Sequence, residues 1–242
     1  MSLNYDLSQF DKDLSEFGIV LSDDQKSQFV RYYELLVEWN SFMNLTAITD
    51  FDEVFKKHFV DSLSLIKVMD LDKEITVIDV GTGAGFPGLC LKIAFPKLKI
   101  TLLDSLNKRL NFLNTVIDEL GLKDITTIHG RAEDIAKKPE YREQFDIAVS
   151  RAVANLTTLS EFCLPFVKVG GSFIAYKSEK IEEEKKEAKS AVKILGGEFL
   201  SEESFYLPDT ELYRNLYSIS KVSETPKKYP RKAGLPLKEP LK

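Results

Sequence analysis

Val77-Ile78-Asp79-Val80-Gly81-Thr82-Gly83-Ala84-Gly85-Phe86-Pro87-Gly88 is the stretch on which the fold of this chain turns. A β-rich run, Ile75 to Val80, stops at four glycines within eight residues, and Phe86 to Phe95 then reads as a helix. Glycines directly after a buried strand let the backbone turn sharply and approach a ligand with no Cβ in the way. A fold that binds a dinucleotide wants G-x-G-x-x-G, with a helix N-terminus aimed at the diphosphate. The spacing here is G-x-G-x-G, and Asp79 stands just before it, where a carboxylate would oppose a diphosphate. A cofactor with a cationic or neutral amino-acid end suits Asp79 better.

Outward from the loop, Leu98 to Leu103 is a second strand that ends in Asp104. A carboxylate about 20 residues past the glycines can bind both hydroxyls of an adenosine ribose. Asp79, the glycine loop and Asp104 together resemble the S-adenosylmethionine site of class I methyltransferases. A helix with Leu110, Leu113, Ile117 and Leu120 on one face follows and stops at Gly121. Three more strands are expected at Ile125 to Ile128, Phe145 to Val149 and Ser172 to Tyr176. This strand–helix alternation predicts an α/β fold with a doubly wound, mostly parallel, Rossmann-like sheet. A helix from Glu179 to Leu195 precedes Gly196-Gly197. Two β-rich runs, Glu198 to Tyr206 and Leu216 to Val222, then arrive without a helix between them, which predicts a final antiparallel hairpin.

Ahead of the sheet the pattern is helical. A short helix around Leu7 to Phe17 ends at Gly18, and Ser22 with Gln25 makes a capping box for a second helix carrying Phe29, Tyr32, Tyr33, Leu36 and Trp39. A third helical pattern runs through Val54, Phe59, Leu63 and Ile66, with Asp50 or Asp52 as its N-cap. The expected division is a helical extension or cap over 1–70, a methyltransferase domain over 71–222 and a basic, proline-containing tail over 223–242.

The 242 residues are 43% hydrophobic and 29% charged, an ordinary globular mix that excludes wholesale disorder. Cys90 and Cys163 form no CxxC, and His58 and His129 are the only histidines, so neither a disulfide scaffold nor a cysteine- or histidine-based metal site is expected. No apolar run reaches the roughly 18–20 residues that span a bilayer. With no signal-peptide pattern, these features lead us to expect a soluble cytoplasmic protein. Net charge is −5, yet Lys221 to Lys242 holds seven basic residues against Glu224 and Glu239, about +5, with the remainder near −10. A local basic tail binds phosphate whatever the overall sum.

Six further blocks occur in order: Asn44-Leu45-Thr46-Ala47-Ile48, His58 with Asp61-Ser62-Leu63, Asp79 to Gly88, Asp104-Ser105-Leu106 with Lys108-Arg109, Arg131-Ala132-Glu133 and Ser150-Arg151-Ala152. With the basic ending Lys228 to Gly234, they resemble the glucose-inhibited division protein B family of small-subunit ribosomal RNA guanine-N7 methyltransferases over nearly the whole chain. The resemblance implies S-adenosylmethionine as methyl donor and a guanosine in the decoding region of 16S rRNA, naked or in the 30S subunit, as acceptor. It maps cofactor contacts onto Gly81, Phe86, Ala132, Glu133 and Arg151. Gly83 belongs to the same loop, and Asp104 is added by the ribose argument.

Guanine N7 carries a free lone pair and no proton, so in-line attack on a sulfonium methyl needs no general base, and no catalytic proton-transfer residue is assigned. Arg151 can bond guanine O6 or the cofactor's methionine carboxylate. His58 and Asp61, at i and i+3 on a helix, either pair to pack the helical cap or line the substrate mouth; the first is favoured. Lys108, Arg109 and the basic tail, read as flexible because of Pro226, Pro230, Pro236 and Pro240, are the candidate RNA contacts of a monomer. Two other functions compete: a nucleotide-dependent dehydrogenase, disfavoured by the glycine spacing, and a non-enzymatic RNA-binding or cell-division factor.

Overall fold

The computed structural model describes residues 5–151, 154–178 and 182–242; Ala152 and Glu179, named above, lie outside the described residues. Seven strands form one sheet: β1 (Thr76–Val80), β2 (Lys99–Asp104), β3 (Ile125–His129), β4 (Phe145–Arg151), β5 (Val167–Lys177), β6 (Gly197–Tyr206) and β7 (Tyr213–Lys221). Their order is β3-β2-β1-β4-β5-β7-β6. The first five are parallel, and β7 runs antiparallel between β5 and β6. The expected doubly wound sheet with a closing hairpin is therefore present. The order reverses between β1 and β4, and ligands of open α/β sheets collect at such a switch point.

Before the sheet stand α1 (Ser8–Glu16), α2 (Asp23–Met43), α3 (Phe51–Val54) and α4 (Asp61–Leu63), the last two joined by a π-helical turn, Phe55–Val60. Ser22 and Gln25 form the expected capping box on α2, and the Asp50 carboxylate caps α3. Gln25 donates across to the carbonyls of Ile93 and Ala94, and Gln28 donates to that of Leu120. Those carbonyls end α5 (Gly88–Ala94) and the segment after α6 (Asn107–Glu119), so one face of α2 laces two helices of the sheet layer. α7 (Ala132–Ile135), α8 (Leu156–Cys163), α9 (Glu182–Ile194) and α10 (Leu235–Lys238) complete the chain.

The two sheet faces have separate cores, and strand alternation decides which residue joins which. Val77, Leu102, Ile147, Val149 and Ile174 pack with the N-terminal helices, whereas Ile78, Val80, Leu103, Ala148, Phe173 and Ala175 pack with α8, α9 and Tyr229. By the same period, Asp79, Asp104, Arg151 and Tyr176, near the C-terminal ends of four adjacent strands, lie on the face covered by the N-terminal helices. The helical segment thus shares its core with the sheet that carries the loop.

The basic C-terminal segment differs from the flexible arm expected of it. Arg231 forks the Glu161 carboxylate, with Nη2–Oε2 at 2.7 Å and Nε–Oε1 at 3.0 Å. Arg142 donates to the carbonyls of Thr225 and Tyr229 at 2.7 and 2.9 Å, and Tyr229 is buried. Lys221, also buried, is consumed by Glu143 at 2.8 Å. Composition counted the cations but not the carboxylates, Glu143 and the buried Glu161, waiting for two of them.

Candidate active site

Asp79 organises the glycine loop from behind. Its Oδ2 accepts the Thr82 hydroxyl at 2.6 Å and the Gly88 N–H at 2.8 Å, tying both ends of the turn to β1. A Cβ on Gly88 would stand 2.3 Å from Leu102 Cδ2 and 2.9 Å from that carboxylate, so only glycine permits the approach. Burial raises the Asp79 pKa from 3.8 to about 6, and its Oδ1 has no hydrogen-bond partner. The expectation that Asp79 faces a cofactor's amino-acid end is corrected: it is fully buried beneath the loop. From the other side, the Tyr32 hydroxyl of α2 donates to the Ala84 carbonyl at 2.5 Å. The loop is clamped between a strand and the helical layer.

Three cavities line up along the strand ends. One of about 440 Å³ is bounded by Thr46, His58, Gly81 to Ala84, Phe86, Asp104, Ser105, Arg109 and Arg151. A second of about 220 Å³ shares Gly81, Asp104 and Ser105 with it and adds Ala132, Glu133, Phe162 and Leu237. A third, of about 510 Å³, shares His58 and Arg151 with the first and adds Lys57, Asp61, Tyr176, Lys177 and Arg214. The seven residues expected to hold a cofactor, Gly81, Gly83, Phe86, Asp104, Ala132, Glu133 and Arg151, all lie along the first two. Gly83 has φ +63°, and a Cβ there would meet nothing within 4 Å. The loop presents bare backbone to the cavity at that point.

Asp104 is buried, and its Oδ2 accepts the Gly83 N–H at 3.0 Å and Arg109 Nη1 at 3.1 Å. Arg109, expected on the RNA, is instead spent on this carboxylate, while Lys108 is exposed at the start of α6. His58 stacks on Phe86 with ring centroids 4.5 Å apart, and its Nε2 lies 2.8 Å from Thr46 Oγ1. Burial, then the charge of Arg151, lowers its pKa from 6.5 to about 4, so it is a neutral ring near pH 7. The expected His58–Asp61 pair is absent. Asp61 instead takes Arg151 Nη1 on Oδ2 at 3.2 Å and Arg214 Nε on Oδ1 at 2.8 Å. The Arg151 guanidinium also lies 5.0 Å from the Phe86 ring centroid. Lys177 pairs with Glu184 at 2.7 Å and donates to the Ala154 carbonyl, fixing the end of β5 to α9.

Residues 25–213 match the family described as rRNA small subunit methyltransferase G. The Ribosomal RNA small subunit methyltransferase G of Lachnoclostridium phytofermentans is 57% identical over 98% of both chains. The chain belongs to the small-subunit rRNA methyltransferase G family. A relative of the same name from Lactococcus lactis subsp. cremoris is 50% identical over 95% of this chain and 96% of its own. Among solved structures, a SAM dependent methyltransferase from Aquifex aeolicus superimposes with a TM-score of 0.53 at 20% identity, over 73% of this chain and 96% of its own. TYW2 from M. jannaschii in complex with AdoMet gives 0.52 at 15%, over 67% and 77%. At those identities the likeness carries the fold, which is that of class I methyltransferases. As a member of the methyltransferase G family, this chain is an S-adenosylmethionine-dependent methyltransferase.

The residues present fit that cofactor. The glycine loop offers bare backbone, Asp104 a buried carboxylate, and Val80, Leu103 and Phe162 an apolar slot beyond it. Arg214 and Leu237 are among the lining residues that sequence reasoning missed. Neither carries a local motif, and only the pairing of β7 with β5 and the docking of the C-terminal segment bring them in.

Proposed function

We propose that this chain, acting as a cytoplasmic monomer, methylates N7 of one guanosine in the decoding region of 16S rRNA. Its family relatives are named for small-subunit ribosomal RNA. The observation that carries the finer reading is the third cavity, which adjoins the cofactor cavity through His58 and Arg151 and is lined by Lys57, Arg151, Lys177 and Arg214. Arg214, held by Asp61, and the partly exposed Lys57, paired with Glu53, suit an anionic nucleotide whose base lies inward.

In this reading Gly81, Gly83 and Asp104 hold the cofactor's ribose and amino-acid parts, and Ala132 and Glu133 its adenine. Bound S-adenosylmethionine supplies an electrophilic methyl group. N7 has no proton to lose, so the chain's work is to align a lone pair and exclude water. His58, neutral and bonded to Thr46, is a stacking and positioning group and not a base. Asp61 keeps Arg151 between the two cavities, where its guanidinium can donate to guanine O6. Lys108 and the exposed lysines of the C-terminal segment, Lys227, Lys228, Lys232 and Lys238, would meet the RNA backbone.

The test is methyl transfer from labelled S-adenosylmethionine to small-subunit rRNA and to 30S particles from cells lacking this protein. The expected product is a single 7-methylguanosine on digestion. A methyl group on another atom or another nucleoside overturns the assignment.

A further inference from the structure

The C-terminal segment docks where the adenine of the cofactor is assigned. Glu133 is buried, and its Oε1 accepts the N–H of Gly234 at 2.8 Å. Gly234, at φ +83°, opens the single turn of α10, whose Pro236 carbonyl accepts the Thr158 hydroxyl at 3.2 Å. That turn brings Leu237 into the lining of the 220 Å³ cavity, along with Val80, Leu103 and Phe162. Leu237 is 57% exposed and lines that cavity. Behind it, Arg231 clips the segment to Glu161, which is 1% exposed, through three side-chain contacts and a backbone N–H at 2.7 Å. A buried carboxylate left without its arginine is costly, so the clip is held firmly.

A purine is a flat ring with two apolar faces and a polar edge. Val80 and Leu103 from the sheet and Phe162 from α8 give this cavity apolar lining, and the C-terminal segment adds Leu237. We propose that residues 231–238 form the outer wall of the adenine end of the cofactor site. Leu237 covers the ring, and the Gly234 N–H sets the orientation of the Glu133 carboxylate. The inference rests on placing adenine in this cavity. It gives the segment an inward function, cofactor retention, beside any outward one of its lysines.

The experiment is calorimetric titration of the full chain with S-adenosylmethionine and S-adenosylhomocysteine, in wild type, Leu237→Asp, Leu237→Met, Lys189→Gln and Asp104→Ala. Leu237→Asp is expected to weaken both ligands about tenfold by putting a charge against the base. Its unfolding midpoint should be unchanged, because the side chain is half exposed. Leu237→Met is expected to stay within about twofold of wild type, since it conserves apolar volume. Lys189→Gln, exposed on α9 and outside the segment, is expected to leave affinity unaltered. Unchanged affinity in Leu237→Asp with binding weakened in Asp104→Ala overturns the wall and leaves the cofactor site standing. Unchanged affinity in both overturns the placement of the cofactor itself. A raised KM for RNA at unaltered cofactor affinity in Leu237→Asp also overturns the wall and assigns the segment to RNA alone.

Discussion

Asp61 is 5% exposed and holds two arginines, one on each carboxylate oxygen. Removing it leaves two cations in a half-buried pocket with no counter-charge. Asp61→Ala is therefore expected to destabilise the fold by about 3 kcal/mol, read by urea denaturation. In whatever fraction folds, kcat for RNA should fall while cofactor affinity is kept, because the carboxylate positions Arg151 without lining the cofactor cavity. His58 and Asp79 titrate in opposite senses. The folded His58 resists protonation until about pH 4, while the unfolded chain takes up that proton from about 6.5 downward. Its contribution to stability is complete above pH 6.5 and is lost as pH falls toward 4. Asp79, raised from 3.8 to about 6, contributes most below 3.8 and loses that contribution as pH rises through 6. His58→Gln should thus gain unfolding midpoint relative to wild type between about pH 7 and pH 5, as followed by circular dichroism. Individual residues were legible where a motif framed them: Gly83 and Asp104 line the cavity where the glycine loop and the ribose spacing put them, and Arg151 where the family resemblance put it. Arg214 was not legible, because its partner Asp61 lies 153 residues away and no local pattern marks the Arg214 end of the pair.

At the scale of elements, the glycine loop separates two demands on one residue type. Gly88 is needed for close approach to β1 and β2, and Gly83 for a left-handed turn beside open cavity. Gly88→Ala should cost about 1–3 kcal/mol through overpacking against Leu102 and Asp79, seen as a lowered unfolding midpoint. Gly83→Ala should cost only about 1 kcal/mol of backbone strain, yet weaken cofactor binding measurably by calorimetry as its Cβ enters the cavity. The strands were legible from β-branched runs, and α2 from its capping box. The ends of β5 and β7 were not: β5 begins at Val167, five residues before the run that announced it, and β7 begins at Tyr213, through Arg214 and Asn215. Polar residues there belong to the strand because neighbouring strands supply their partners, as Asn215 shows by donating to Glu202 at 2.7 Å. Strand propensity counts side chains and does not see pairing.

Over the whole molecule, charge counting and charge placement part company. The C-terminal segment looked like a free cationic arm, but Lys221 and Arg231 are neutralised inside the protein, and Lys227, Lys228 and Lys232 remain exposed. Replacing those three lysines with glutamine should lower the slope of log affinity against log salt for RNA by about 2 while sparing cofactor affinity. Filter binding across a salt series reads the slope directly.

The double arginine grip on Asp61 also sets an order of events. Its three members come from a helix before the sheet, from the strand at the switch point and from a strand that must insert between β5 and β6. Contacts of such long sequence separation close late, after local helices and neighbouring parallel strands have collapsed. The glycine loop and Asp104 need only β1, β2 and the layer above them. A refolding chain should accordingly acquire the glycine-loop end of its donor site before it has a finished seat for the acceptor.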